Sequence, residues 1–535
     1  MKILNSQNFT METIFDRFPT LSDVIFEYLD EKSLANCVVV NRKWQSTIAN
    51  QKVYFKMMIQ NWSKHCNKLV RKEWRIASDT TPLELLRRLS EYIREHQCFG
   101  CNSKSIENKN CKCLVFSPTA VATLHGDMDL FKHIAVKINK NPKTCLQMTS
   151  LHLAAFEGHL EICKWYIENI GKVNDENDDG WIAVHFAANN GQVEIFNYLL
   201  ENGADLYLKD QLGHTTLHLA AEGGSLKVCK LIVEVYKGID INAKDIDGWT
   251  ALHFASEKGE LETVKFLFKS DGDLNSRAND GDTPLHSATQ YGHTEVVKFI
   301  LAKVIDKNPE NEEGDTPLHE AANKGFLEIC KLICRHLKDT DPKNNSEETP
   351  LLNAVVFGEL ETVKFLFEIG TDSYSRPNED THLHAATRYG HTEVVKFILS
   401  KVIDKNPENE DGDTPLHEAA KNGSLEICKL ICLHINRGLD KVGAEVAPWK
   451  FGKFLSRPLV KAMHPENNSG ETPMFNAVEK GELETVKFLF NIGGDLNSKN
   501  DEGDTPLHAA TRYGHTKVVK FILANVVDKN PTSKE

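Results

Sequence analysis

Residues 316–334 read Thr316-Pro317-Leu318-His319-Glu320-Ala321-Ala322-Asn323-Lys324-Gly325-Phe326-Leu327-Glu328-Ile329-Cys330-Lys331-Leu332-Ile333-Cys334. Thr316 is a residue that caps helices, and Pro317 suits a first helical turn, where its missing N–H costs nothing. Leu318, Ala321 and Ala322 form a narrow apolar face that lets a neighbouring helix approach closely. Gly325 supplies the left-handed residue that stops a helix. From Leu327 to Cys334 apolar residues return at helical spacing. The stretch therefore predicts two short helices joined by a tight turn.

The pattern recurs along most of the chain. Its threonine position falls at Thr149, Ile182, Thr215, Thr250, Thr283, Thr316, Thr349, Thr381, Thr414, Thr472 and Thr505, mostly 33 residues apart. A worn copy at Ser117-Pro118 precedes them, giving about twelve units. Turn-forming segments such as Asn279-Asp280-Gly281 separate the units. A longer period lies above the short one: residues 283–334 and 381–432 are identical at 44 of 52 positions, which marks a duplicated block of three units. Among the eight differences are Gln290/Arg388, Asn323/Lys421 and Lys324/Asn422, at first-helix ends.

Composition narrows the function classes. With 535 residues and 41% hydrophobic content, more than one structural unit is expected. No apolar run approaches the roughly 18 residues of a membrane span, and Met1 to Thr10 does not read as a signal peptide. The net charge is −13, with about +6 in the first ~115 residues and about −19 beyond them, which argues against nucleic acid as a ligand. Thirteen cysteines include Cys229, Cys330, Cys334, Cys428 and Cys432 at apolar helical positions, as expected for a reducing compartment, the cytoplasm or nucleus. Neither a phosphate-binding glycine loop nor a nucleophile signature stands outside the repeats, so a non-catalytic binding protein is expected.

These phased units resemble the ankyrin repeat. The resemblance implies an all-α solenoid of helix pairs with short β-hairpin fingers, covering about three quarters of the chain. It also implies a structural task for the recurring histidines His152, His218, His253, His286, His319, His417 and His508, hydrogen bonding within and between repeats. Proteins of this family bind through finger tips and first-helix ends. Those positions hold Trp181, Leu212, His214, Ile246 and Trp249 in the early repeats and Tyr291, Tyr389 and Tyr513 at later helix ends. The tryptophans have two readings, anchors for a partner or packing onto neighbouring fingers. In later repeats the residue before the threonine is acidic (Asp282, Asp315, Glu348, Asp380, Asp413, Glu471, Asp504). That row reads either as a site for a basic partner segment or as a solvated face. A 58-residue step hides a basic, aromatic insert at about 437–464, read as a tolerated surface insertion, a binding loop or a translated intron.

Residues 16–60 break the pattern. Phe18-Pro19, Ile25, Leu29, Leu34, Val40, Trp44 and Tyr54 are spaced for two or three short helices. This spacing resembles the F-box, with Phe18 in place of the usual leucine and the stretch from Pro19 to Leu29 one residue short. A small helical cap for the solenoid is the plainer alternative. The F-box resemblance implies docking on the Skp-type adaptor of a cullin–RING ligase through Pro19, Ile25, Leu29, Leu34, Val40 and Trp44. Residues 1–15 are expected to be a flexible N-terminus, and 61–115 a helical linker holding Cys98, Cys101, Cys111 and Cys113, a candidate set for a structural zinc site. The solenoid is expected over 116–535. The resulting functional expectation is a ubiquitin-ligase substrate receptor; a plain ankyrin scaffold and a host-directed effector with a borrowed F-box are the alternatives.

Overall fold

The computed structural model describes residues 118–138, 147–236, 238–370, 381–440 and 464–526. The F-box segment, the linker with its four cysteines and most of the insert lie outside these residues. The chain divides into two compact units, residues 1–273 and 274–535. Among the described residues there are 24 α-helices and no strand.

Each repeat is an inner helix followed by an outer one. In the quoted stretch these are Pro317–Asn323 and Leu327–Cys334. Thr316 is extended (φ −108°, ψ 164°), and its backbone N–H donates to His319 Nδ1 at 3.1 Å, closing the start of the helix. Gly325 turns the chain at φ +71°; a Cβ there would stand 2.0 Å from the Glu359 carboxylate of the next repeat. Leu318, Ala321 and Ala322 are fully buried, as are Cys330 and Ile333 on the outer helix. The two helices pack on each other, and Pro317–Asn323 also packs on Pro350–Phe357 of the following repeat. Alanine at two consecutive inner-helix positions is what permits that approach.

The fingers, expected as short β-hairpins, are tight turns. Asn311 N–H donates to the Asp315 carbonyl at 2.9 Å, while the Asn311 side-chain oxygen accepts from the Glu313 and Asp315 N–H groups. One further bond, Glu312 N–H to the Asp280 carbonyl at 2.8 Å, ties that finger to its predecessor. A single bond per neighbour is too few to make a ladder.

The insert does not interrupt stacking. Pro415–Lys421 packs directly on Pro473–Lys480, and Asn468 Nδ2 donates to the Glu410 carbonyl at 2.7 Å. The outer helix of that repeat runs long, Leu425–Asp440.

Candidate protein-interaction surface

The histidines prove to be bracing. Where a repeat carries the motif histidine, the imidazole Nδ1 accepts the N-cap backbone N–H, and in seven of these repeats Nε2 meets a carbonyl at the following finger. The outward bonds include His152 to Asp175 (2.8 Å), His218 to Trp249 (3.1 Å), His319 to Glu348 (3.0 Å) and His417 to Glu471 (3.1 Å). Accepting at Nδ1 requires the neutral ring with its proton on Nε2. Burial enforces this, pushing His185 and His417 down to about 4. His185 and His384 carry the same bonds, to Leu208 (3.2 Å) and Asp413 (3.0 Å). Both escape a search for Thr-Pro-Leu-His, because Ile182-Ala183-Val184 replaces its first three residues in one repeat and His382 replaces its proline in the other.

In unit 1–273 the aromatic finger residues follow the packing reading and are partly buried. Trp181 donates from Nε1 to Asp210 Oδ2 at 2.9 Å, and its ring lies 4.9 Å from that of Phe186. His214 Nδ1 is 2.8 Å from Asp210, Nε2 is 3.3 Å from Asp245 of the next finger, and its ring meets Phe254 edge-on. Burial alone would lower the pKa of His214, but the two carboxylates outweigh it and raise the pKa above the ordinary value. Trp249 lies against Phe254, 5.2 Å away. Phe186 and Phe254 cover Trp181 and Trp249 from their own inner helices, and Phe254 meets His214 from the next repeat, which is why these three are not free.

Leu212 and Ile246 are different. They stand on adjacent finger tips, joined by the Ile246 N–H to Leu212 carbonyl bond of 3.0 Å, and both side chains face solvent. Tyr291, Tyr389 and Tyr513 are also exposed; these five side chains span 50–56% exposure. Tyr389 and Tyr513 stack on His391 and His515, whose Nε2 atoms are each held 2.7 Å from a carbonyl of the preceding repeat. Aromatic rings held rigid yet half exposed lose little entropy when a partner covers them. The sequence reading missed Tyr207, Ile305 and Ile403, all more exposed than these. They lie in connecting loops outside the motif, where no periodic signal marks them.

The acidic row of unit 274–535 is not a solvated face. Asp413 and Asp504 are buried, and Asp282, Asp315, Glu348 and Glu471 are half-buried. Asp380 lies outside the described residues. The row is threaded by asparagines of the following fingers: Asn311 Nδ2 donates to Asp282 (3.0 Å), Asn344 to Asp315 (2.7 Å) and Asn467 to Asp413 (2.8 Å). Cations also sit on it. Lys421 pairs with Asp413, Arg512 with Asp504, and Arg388 Nη2 lies 2.9 Å from Glu418 Oε1. Burial pushes the Asp413 carboxyl up, yet the bonds from Lys421 and Asn467 hold it below the usual carboxylate range.

Among the described residues no group of His, Cys, Asp or Glu side chains is arranged to hold a metal ion, and no helix is long and apolar enough to cross a membrane. The candidate zinc cysteines, Cys98, Cys101, Cys111 and Cys113, and the residues expected to dock on an adaptor, Pro19, Ile25, Leu29, Leu34, Val40 and Trp44, lie outside those residues. Cys229, Cys330, Cys428 and Cys432 are buried free thiols and Cys334 is half-buried. Burial pushes the first three and Cys334 up to about 12 or above, so they are inert packing groups.

Comparison with known proteins agrees with this architecture. The family of ankyrin repeats in three copies matches in six windows, at residues 119–210, 151–245, 217–311, 304–377, 369–442 and 452–533. The F-box domain matches at residues 15–56. A search of curated proteins gave no match. Repeats held together by buried histidines and asparagines, with exposed side chains on finger tips and helix ends, are built for contact with other proteins. The chain belongs to the ankyrin-repeat family and is an F-box protein with its ankyrin repeats C-terminal to the F-box.

Proposed function

We propose that the chain is the substrate-recognition subunit of a Skp–cullin–F-box ubiquitin ligase. The observation that carries this reading is the union of an F-box domain at 15–56 with ankyrin repeats over 119–533 in one polypeptide. In this reading Pro19, Ile25, Leu29, Leu34, Val40 and Trp44 dock on the Skp-type adaptor, and the repeats grip the target. Leu212, Ile246, Tyr291, Tyr389 and Tyr513 are its contact residues. The chain needs no catalytic group of its own, since holding a target lysine near the charged ubiquitin carrier raises its effective concentration. The cytoplasm or nucleus is its place of action.

The test is copurification of the tagged chain with the Skp adaptor. Wild type is expected to retain the adaptor, and Leu29→Ala/Leu34→Ala to lose it while keeping the repeats' helical circular dichroism. Normal folding with no adaptor bound by the wild type would return the chain to a plain ankyrin scaffold. A bound target whose level rises on proteasome inhibition, and does not rise in the double variant, would complete the case.

A further inference from the structure

The duplicated block places the same acids in two settings. In the second copy, Arg388 leaves the helix His382–Arg388 and reaches Glu418 at 2.9 Å, while Lys421 pairs with Asp413. Ninety-eight residues earlier, Glu320 and Asp315 stand at the register of Glu418 and Asp413, but the two cation positions hold Gln290 and Asn323. The lysine of this copy is moved one residue on, to Lys324 at the exposed end of its helix. A third copy of the first position, Arg512, again carries a cation on an acid, Asp504. Of the three related repeats, only the first has Gln290 in place of arginine.

The electrostatics follow this difference. Burial, then the nearby Asp282 and Asp315, push the Glu320 carboxyl up to about 7, and Lys324 offsets only part of that. Asp282 is also raised, chiefly by burial. On the preceding helix, Ser287 occupies the register position of Glu320 one repeat earlier. Its Oγ is buried and has no hydrogen-bond partner among the described residues. Beside it at the end of that helix stands the exposed ring of Tyr291.

We propose that the first copy takes a lysine or arginine of a bound protein segment at Asp282, Asp315 and Glu320, in the place that Arg388 and Lys421 fill in the second copy. The second copy shows which chemistry this arrangement accepts: a guanidinium on the glutamate and an ammonium on the aspartate. The second copy, already neutralised by its own side chains, does not compete for the same segment. The two copies thus differ by one arginine replaced and one lysine shifted, which leaves the first copy's acids without the cations that the second copy supplies. This rests on the reading that the repeats are the target-binding part, but it requires no adaptor.

The test uses the full chain and a fluorescein-labelled nonalysine peptide, read by anisotropy at low salt. Installing the second copy's own residues, Gln290→Arg/Asn323→Lys, is expected to weaken binding about tenfold, as is Glu320→Gln. Glu295→Gln/Glu328→Gln changes net charge as much as the double seat variant does, on exposed outer-helix positions, and is expected to shift affinity less than about twofold. The reverse variant, Arg388→Gln/Lys421→Asn, is expected to add a second peptide site. Equal weakening by the seat variants and the outer-helix control would overturn the proposal, as would a wild-type chain that binds no peptide. The Leu29→Ala/Leu34→Ala variant should bind the peptide like wild type, so failure of the ligase reading and failure of this one are separable.

Discussion

Acidification acts directly on the histidine bracing, and His417 shows by how much. Its Nδ1 accepts the Thr414 N–H at 3.0 Å and its Nε2 donates to the Glu471 carbonyl at 3.1 Å, across the point where the insert leaves the stack. The bond at Nδ1 needs the neutral ring, because a protonated imidazole has no acceptor nitrogen. Burial lowers its pKa from 6.5 to about 4, so between these values the unfolded chain binds a proton that the folded chain refuses. Stability from this residue is therefore complete above 6.5 and is lost as the pH falls toward 4. At pH 5 the loss works out at about 2 kcal/mol from this one side chain. Other groups titrate in the same range, so the measurement is a double difference: urea unfolding by circular dichroism at pH 7 and pH 5, for wild type and His417→Gln. Glutamine cannot protonate. The stability advantage of wild type over the variant should shrink by about 2 kcal/mol on going from pH 7 to pH 5. An advantage that is the same at both pH values would refute the claim that His417 acts as a buried neutral bridge.

Two further outcomes follow from packing. Gly223 has ordinary backbone angles, yet a Cβ there would stand 1.6 Å from the Asn189 carbonyl of the preceding repeat, so Gly223→Ala should destabilise unit 1–273 by about 3 kcal/mol in chemical denaturation. Trp181→Phe keeps the ring beside Phe186 but removes the bond to Asp210, a loss of about 1–2 kcal/mol in the same assay; no loss would mean the tryptophan is free to serve as an anchor.

How much of this was legible beforehand divides along a physical line. The helix starts at the recurring threonines, the prolines in first turns, the left-handed glycines and the buried alanine pairs are all local requirements. Each is met within a few residues, so the amino-acid order alone declared the repeat, its period and its duplicated block. The exposed tyrosines at helix ends and the Leu212 and Ile246 finger tips could be named for the same reason, since their place within the repeat sets their exposure. The rest depends on what lies one repeat away. Trp181 reads as an exposed anchor until Asp210, 29 residues on, is brought to its indole. The acids before each threonine read as a solvent-facing stripe until asparagines of the next finger and cations on the inner helices close over them. His185 follows Ile182-Ala183-Val184 and His384 follows Thr381-His382-Leu383, neither the full motif, and only the carbonyls they meet reveal their task. The contrast between Gln290 and Arg388 is visible as two letters in a duplicated block, but its meaning appears only when Arg388 reaches Glu418 on the next helix. Sequence thus determined which segments form helices and how often; stacking decided which side chains those helices consume in holding one another and which they leave for a partner, because a solenoid makes its decisive contacts between residues about one repeat apart.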